Sequence, residues 1–503
     1  MGENRLTGAG NPVRRLSKTR LLSHLQCPRR LWLETFRPEL AATSAATAAA
    51  FSAGNSVGAV ARLIYGGSDG VLIDTGTDTA AALAATTEIL QRGACGPLFE
   101  AAFEYGGVLI RADVLVPLRG SYRLVEVKAS TALKDEHAID CAIQNWVMSG
   151  AGLAPASVSL AHVDNRFEYR GNDDYNGLLV ECDVGDTVAA LDHQVSGWIR
   201  DALATLDGGE PEVAVGAQCD KPHACPFKQS CWSAGARYPV TGLGGSKAKI
   251  AALVNDGYRD IRDVPAERLA GAAQQRIRAV TCRGAARLEE AAVTFARGLA
   301  YPRFFLDFET ISPAVPVWPG TRPYETLPVQ YSCHIEQAPG EFTHEEFLEI
   351  SLHPPLRALA EALIRTLRRT GPILTYSSYE RRVIGILQNR FPDLAEALAA
   401  IAARLQDLLP VTRNHYYHPD MLGSWSIKSV LPAIAPDLDY AELEGIRDGA
   451  AAADAYLCAI SAETTNEERA RLEQQLRDYC RFDTLAMVSL LRFFETGGRP
   501  AGD

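Results

Sequence analysis

The alternation of apolar and polar positions is clearest in the C-terminal part of the chain. The apolar stretches FFLDFET (304–310) and GPILTYS (371–377) lie beside proline and glycine and predict strands. Apolar residues recur every three or four positions over 356–370 and 468–494, which predicts helices. Strands and helices that alternate along the chain in this way predict an α/β layered fold.

The same patterns occur nearer the N-terminus. Residues 103–130 alternate on both sides of a turn at 119–120 and predict two adjacent strands. Residues 137–150 have the spacing of a helix, and residues 240–300 contain no β-rich run and predict short helices.

The length of 503 residues, of which 47% are hydrophobic, favours about three domains. We expect them at 1–237, at 238–300 as a small helical connector, and at 301–503. No apolar run approaches the roughly 18 residues that a membrane span needs, so no membrane association is expected. The basic start of the sequence has no apolar segment behind it, which makes the cytoplasm the expected location.

The formal net charge of −11 argues against nucleic-acid binding by the surface as a whole. Residues 1–40 are an exception, because eight basic residues stand there against three glutamates. These are Arg5, Arg14, Arg15, Lys18, Arg20, Arg29, Arg30 and Arg37. This segment is either a phosphate-binding face or a solvated basic arm.

Two carboxylates and a lysine share the predicted strand pair. Glu126 and Lys128 point to one face of their strand, and Asp113 can meet them from the adjacent strand. Gln144 on the following helix returns to this face, and Glu100 precedes the first strand. Hard oxygen ligands of this kind predict Mg²⁺ or Mn²⁺ and phosphodiester hydrolysis, although a Glu and a Lys on an exposed strand face are also commonplace.

The spacing D-x12-E-x-K with a later glutamine resembles that of the RecB-like PD-(D/E)XK nucleases over residues 18–232. The resemblance implies a RecB-like nuclease domain with metal ligands Glu100, Asp113 and Glu126 and catalytic Lys128 and Gln144. Many such nucleases also carry a histidine in an early helix. Residues 51–64 contain none here, so this domain has an alternative reading as one that binds DNA without cutting it.

Four cysteines bracket this domain. Cys219, Cys225 and Cys231 are spaced by five residues, with prolines that turn the chain between them, and Cys27 precedes the domain. The four thiolates can hold an iron–sulfur cluster or zinc, or remain unliganded and buried. The arrangement resembles that of CRISPR-associated and AddB-type exonucleases, in which one cysteine before the core and three after it hold a [4Fe–4S] cluster.

A second acidic centre is predicted in the last domain. Asp307 and Glu309 lie two apart on an apolar strand, and Tyr479 and Asp483 lie one turn apart on a late helix. Between them, Glu380 begins a helix that follows a strand. Two acids among phenylalanines are costly to bury unless a cation compensates them.

This order resembles that of the DEDD exonucleases of the RNase H-like superfamily, in the tyrosine-bearing branch related to DnaQ. It implies two divalent cations held by the acids, with Tyr479 positioning the attacking water. Aspartate is usual where Glu380 stands, so either Glu380 reaches the centre or Asp407 contributes instead. Lys428 suits either a phosphate contact or a solvated position.

The connector has a glycine-rich turn that opens a helix at 242–280. It lacks the spacing of a P-loop, which disfavours nucleotide hydrolysis. It distantly resembles a helix–hairpin–helix, which grips phosphates through backbone amides, and a plain helical linker is the alternative.

Over residues 16–495 the chain resembles a bacterial family that fuses these two nuclease-like modules. We therefore expect a metal-dependent exonuclease that acts on single-stranded or end-opened DNA, 3′ to 5′ at the C-terminal site, in DNA repair or in defence against foreign DNA. The sequence contains no helicase motif, so strand opening would need a partner protein. The alternatives are a non-catalytic iron–sulfur protein that binds or senses nucleic acid, and an RNA exonuclease.

Overall fold

The computed structural model describes residues 16–42, 45–93 and 95–498. The fold is mixed α/β, with 50% helix and 18% strand. The described residues form two compact units, the first of residues 16–42, 50–93, 95–228 and 314–316, and the second of residues 45–49, 229–313 and 317–498. The main unit boundary lies between Lys228 and Gln229. The expected connector (238–300) lies within the second unit, and the division into three domains stays a prediction.

The first unit is built on one sheet with the strand order β2-β3-β4-β5-β6-β7, and β1 pairs in parallel with β4. The strands are β1 (Leu16–Ser17), β2 (Val71–Leu72), β3 (Leu98–Tyr105), β4 (Val108–Leu118), β5 (Ser121–Lys128), β6 (Ser157–Val163) and β7 (Leu179–Asp183). The helices before the unit boundary are α1 (Lys18–Gln26), α2 (Pro28–Phe36), α3 (Ala45–Gly66), α4 (Thr79–Arg92), α5 (Asp135–Gly150) and α6 (Gly185–Asp207), and α7 (Lys228–Ser233) crosses the boundary.

The predicted strand pair is present as β4 and β5, which are antiparallel around the turn at 119–120. β5 then pairs in parallel with β6, and the predicted helix at 137–150 is α5, which crosses between them. Apolar residues of β3, β4, α5 and α6 form one continuous core on one face of the sheet. Glu126 and Lys128 lie on the same face of β5 as Leu124, which belongs to this core.

The second unit contains a five-stranded sheet with the order β11-β10-β9-β12-β13 and a two-stranded sheet of β8 and β14. The strands are β8 (Arg287–Leu288), β9 (Arg303–Ile311), β10 (Leu327–Ala338), β11 (Glu341–Leu348), β12 (Ile373–Thr375), β13 (Leu405–Asp407) and β14 (Tyr416–Tyr417). The helices are α8 (Lys247–Asn255), α9 (Ala272–Arg283), α10 (Glu290–Arg297), α11 (Leu356–Thr366), α12 (Tyr379–Arg390), α13 (Ala395–Ala402), α14 (Leu408–His415), α15 (Ile427–Ile434), α16 (Gly449–Ile460) and α17 (Asn466–Glu495).

The four elements predicted in this unit are confirmed as β9, β12, α11 and α17. β9 is the central strand: it is antiparallel to β10 on one side and parallel to β12 on the other. Its alternate residues Phe304, Leu306 and Phe308 enter the core beneath α11 and α12. The intervening residues, Asp307 and Glu309 among them, therefore face the opposite side, where α17 packs.

The connector packs closely on the segment that leads to α15. Its strand β8 pairs with β14, and Arg276 of α9 donates to the carbonyl oxygens of Arg413 and Asn414. Gly423 has a φ of 81°, and a Cβ atom there would clash with the backbone of Gly242. The absence of a side chain at Gly423 thus permits a backbone-to-backbone contact.

We predict that Gly423→Ala destabilises the second unit by about 3 kcal/mol, because the methyl group clashes with backbone atoms in addition to the strain of a positive φ. Gly284→Ala is the matched control, since Gly284 has a φ of 72° and open space around its Cβ position. It should cost about 1 kcal/mol from strain alone. Denaturant midpoints measure both variants, and equal losses would contradict the proposed close contact.

None of the helices in the described part of the chain combines the length and apolar character needed to cross a membrane.

Candidate functional site

Asp307 and Glu309 form the base of a cavity in the second unit. They lie two apart on β9 and share its face. Asp307, Glu309 and Cys480 each offer one atom that could bind a metal, and these three atoms lie within 4.8 Å of one another. The cavity has a volume of about 710 Å³.

Helix α17 brings Tyr479 and Asp483 to the same cavity. The helix begins after Thr465, whose side chain accepts a hydrogen bond from the Glu468 backbone amide. Tyr479 and Asp483 are one turn apart, so both face β9, and both are buried. The structure thus brings together four of the residues that the sequence predicted.

Glu380 also reaches this centre. It lies in the first turn of α12, where the Ser377 hydroxyl donates to Glu380 Oε2 at 3.1 Å, and it lines the same cavity as Asp307 and Glu309. The charge of Glu380 also contributes to the raised pKa of Asp307. Asp407 instead caps α14 by accepting from the Leu409 amide at 2.9 Å. Of the two alternatives, Glu380 is therefore the one that lines the cavity of the acidic pair.

The acids of this cavity are poorly compensated. Burial, with the Asp483 carboxylate adding to it, raises the pKa of Glu309 to about 8. Burial also raises the pKa of Glu380 to about 7 and holds that of Asp307 well above its usual range. Four carboxylates share the cavity lining with two basic side chains, Lys428 and Arg413. Such a site favours the binding of cations.

Two further side chains hold the α17 residues in position. Tyr440 donates to Asp483 Oδ1. Lys428 Nζ donates to the Tyr479 hydroxyl at 2.9 Å and to the Arg447 carbonyl at 2.7 Å. Sequence reasoning missed Tyr440, which lies on a short 3-10 turn with no fixed spacing to the other residues. Lys428, for which the sequence leaves a phosphate contact and a solvated position open, contacts the tyrosine and lines the cavity.

Aromatic side chains form part of the wall of the cavity. Tyr376, Tyr379 and Trp425 line it. Trp425 is fixed by its indole N–H, which donates to the Tyr416 carbonyl at 3.0 Å, and its own carbonyl accepts from the Tyr376 hydroxyl at 3.0 Å. Flat aromatic surfaces beside an acidic centre suit the stacking of nucleobases.

The first unit has a separate acidic centre where the end of β5 lies beside the middle of β4. Asp113 Oδ2 accepts from the Val127 backbone amide at 2.8 Å. Glu126 Oε1 accepts a hydrogen bond from Lys128 Nζ, and Glu126 Oε2 accepts one from Gln144 Nε2 at 2.6 Å. The structure therefore brings together Asp113, Glu126, Lys128 and Gln144 as predicted.

Two residues of this first centre were missed in the sequence. Asp140 on α5 accepts from Lys128 Nζ at 2.6 Å and from Gln144 Nε2 at 3.0 Å. Lys18 on α1 lies 3.0 Å from Glu126 Oε1 and 2.9 Å from Asp140 Oδ1. Asp140 is one helical turn before Gln144, a spacing that could have revealed it. Lys18 was counted only as part of the basic N-terminal segment.

Charge at the first centre is shared among acids and lysines. Burial, followed by the charge of Glu126, raises the pKa of Asp113 to about 8. Burial opposes the charge of Lys18, but Asp140 and Glu126 outweigh it and raise the pKa of Lys18 above its usual range. Glu100 lies on the neighbouring strand β3 and has a φ of 58°. The residues on either side of Glu100 pair with the residues on either side of Asp113.

Three of the four predicted cysteine ligands lie in the first unit. Cys27 is the N-cap residue of α2, and Gln26 beside it donates to the carbonyl oxygens of Gln218, at 2.6 Å, and His223, at 2.7 Å. The Cys225 amide donates to the Cys219 carbonyl at 2.9 Å. The N-terminal helices are thereby tied to the loop that carries Cys219 and Cys225. Cys231 lies on α7, past the unit boundary.

The basic N-terminal segment is only partly described. Arg5, Arg14 and Arg15 lie outside the described residues. Among the described residues of the segment, Arg29 forms an ion pair with Glu210 at 2.6 Å, Arg30 with Glu34 at 2.8 Å, and Arg37 with Glu39 at 2.5 Å. Each of these guanidinium groups forms an ion pair with a carboxylate of the chain itself.

Comparison with known proteins identifies a similarity in the second unit. A family model described as "Domain of unknown function (DUF2779)" matches residues 304–426. The matched segment contains Asp307, Glu309 and Glu380 and ends before α17. A solved structure titled "Crystal structure of SSO0001" is similar at 16% identity and a TM-score of 0.21, over 44% of this chain and 87% of that chain. No curated protein matches.

We predict that the metal-free protein loses stability as pH rises from about 4.5 to about 8. Within this range Glu309 keeps its proton in the folded state but loses it in the unfolded state, so rising pH favours unfolding. Glu309→Gln removes this contribution and should flatten the profile. Melting temperatures measured in a chelator across this range test the prediction, with Glu341→Gln, an exposed position on β11, as the control. Parallel profiles for wild type and Glu309→Gln would contradict it.

Proposed function

We propose that the chain is a metal-dependent nuclease whose cleavage centre is the acidic cavity of the second unit. One observation carries this proposal: β9, α12 and α17 direct four carboxylates into one cavity that holds fewer basic groups than acids. Folding alone does not favour such a cluster, because buried like charges are destabilising unless a cation compensates them. A site selected to bind cations explains the arrangement.

Asp307, Glu309, Glu380 and Asp483 would hold Mg²⁺ or Mn²⁺. Their hard carboxylate oxygens fit these ions, and the shortage of nearby positive charge supports the assignment. Bound there, the ions would supply charge compensation for the attacking and leaving oxygens of a phosphodiester.

The remaining side chains would bind and orient the reactants. Because Lys428 donates to the Tyr479 hydroxyl, that oxygen accepts on one side and keeps its own proton available as a donor. Tyr440 restrains Asp483 from the other side. The aromatic wall of Tyr376, Tyr379 and Trp425 would stack unpaired bases, which favours single-stranded or end-opened DNA as the substrate. The resemblance to DEDD exonucleases adds the expected 3′ to 5′ polarity.

The first unit would bind nucleic acid, and Cys27, Cys219, Cys225 and Cys231 would hold a [4Fe–4S] cluster. The contacts that join Gln26 to the loop of Cys219 and Cys225 support this ligand set. A cluster there would crosslink Cys27 to the three later cysteines. The proposed setting is repair of DNA or defence against foreign DNA, with a helicase or another repair or defence protein as partner.

An RNA exonuclease is the second candidate. Stacking on aromatic side chains does not depend on the sugar, so the cavity wall described above accepts RNA as well as DNA.

We predict that Asp483→Asn reduces exonuclease activity at least about 100-fold, because it removes a carboxylate from the cavity while keeping the side-chain shape. Asp478→Asn is the matched control: it makes the same change on an exposed face of α17 and should retain wild-type activity. Single strands of DNA and RNA labelled at either end, with Mg²⁺ or Mn²⁺, report the rate, the polarity and the sugar preference.

Two results would contradict the nuclease proposal. One is a wild-type protein that shortens no strand of either nucleic acid with either metal. The other is activity that is equal in the wild type and Asp483→Asn.

We also predict that protein purified without oxygen is brown and contains roughly four iron and four sulfide per chain. Cys225→Ser should lose the colour and most of the iron, because a serine hydroxyl is a poor ligand for the cluster. Cys282→Ser changes an exposed cysteine outside the set and should keep both. Zinc in place of iron, or iron that persists in Cys225→Ser, would rule out this ligand assignment.

A further inference from the structure

The first acidic centre differs from the second in how its charge is compensated. Both oxygens of the Glu126 and Asp140 carboxylates already accept hydrogen bonds. Glu126 Oε1 contacts Lys18 and Lys128, and Oε2 contacts Gln144. Asp140 Oδ1 contacts Lys18 and Gln144, and Oδ2 contacts Lys128.

Lys18 occupies a bridging position between the two carboxylates. Its ammonium group lies 3.0 Å from Glu126 and 2.9 Å from Asp140, and its side chain is only 16% exposed. An ammonium with two carboxylate neighbours satisfies the electrostatic demand that a divalent ion would otherwise meet. A cation that bound these oxygens would have to displace a buried charged lysine.

The backbone around Lys18 is held in place on both sides. Leu16 and Ser17 form β1, which pairs with Val108 and Leu109 of β4. Ser17 then caps α1 by accepting from the Arg20 amide at 3.2 Å. Leu16 and Leu21 are fully buried in the core of the unit. The chain thus fixes the lysine over the carboxylates from both the strand and the helix.

We propose that Lys18 is a built-in cation that takes the place of a divalent metal at the first acidic centre. This inference deepens the proposed function: it assigns cleavage to the second unit alone and leaves the first unit to hold nucleic acid without cutting it. Asp113, Glu126 and Glu100 are then not metal ligands in the native chain, which departs from what the resemblance to RecB-like nucleases implies. Lys18 is a positioning residue that keeps Glu126, Lys128 and Asp140 in one network.

Counting bound Mn²⁺ tests the inference independently of nuclease activity. The full-length chain carries Asp307→Asn and Asp483→Asn, which disable the second centre, and equilibrium dialysis against millimolar Mn²⁺ counts the ions that remain. We expect none that depends on Asp113. Adding Lys18→Met, which removes the charge at nearly constant length, should create one Mn²⁺ site per chain. Asp113→Asn should abolish that new site.

Lys18→Arg is the control, because it keeps the positive charge and should bind no Mn²⁺ at this centre. The inference is overturned if the chain with Lys18 intact binds an Mn²⁺ ion that Asp113→Asn removes, a measurement that needs no Lys18 variant to fold. It is also overturned if folded Lys18→Met gains no ion. A lack of nuclease activity in the wild type would contradict the proposed function and leave these ion counts unaffected.

Discussion

The placement of two carboxylates on the central strand of a sheet constrains the whole second unit. Asp307 and Glu309 lie on β9, between β10 and β12, with the phenylalanines of the same strand in the core behind them. A strand in this position cannot move its side chains into solvent without breaking the sheet. The acids therefore stay in a position where desolvation is costly. The surrounding segments place tyrosines and a lysine around them, and an open cavity lies beside them.

The two acidic centres solve the same electrostatic problem in different ways. In the first unit the compensating charge is covalently part of the chain, because Lys18 and Lys128 lie directly on the carboxylates. In the second unit Lys428 is directed to Tyr479 and a backbone carbonyl. The number of acids in a site therefore does not by itself set the demand for metal that we propose for it. The position of the nearest ammonium decides it.

Periodicity was sufficient to locate the elements that carry the predicted acids. The two-residue repeat of β9 and the single turn between Tyr479 and Asp483 are local patterns, so the sequence determines the face on which each pair lies. Contacts between distant segments have no such pattern. Lys18 meets Glu126 across 108 residues, and Tyr440 meets Asp483 across 43 residues from an irregular turn. Only the tertiary fold brings these residues together.

The backbone contact between Gly242 and Gly423 bears on how the protein can be divided. The loop after Gly423 carries Trp425 and leads into α15, the helix of Lys428, and both residues line the cavity. This part of the cavity wall is therefore supported by the segment around Gly242, which precedes β9 by some sixty residues. A fragment cut at the start of β9 would retain every carboxylate yet lack the support beneath that wall. The smallest autonomous unit that preserves the cavity consequently includes the segment before β9.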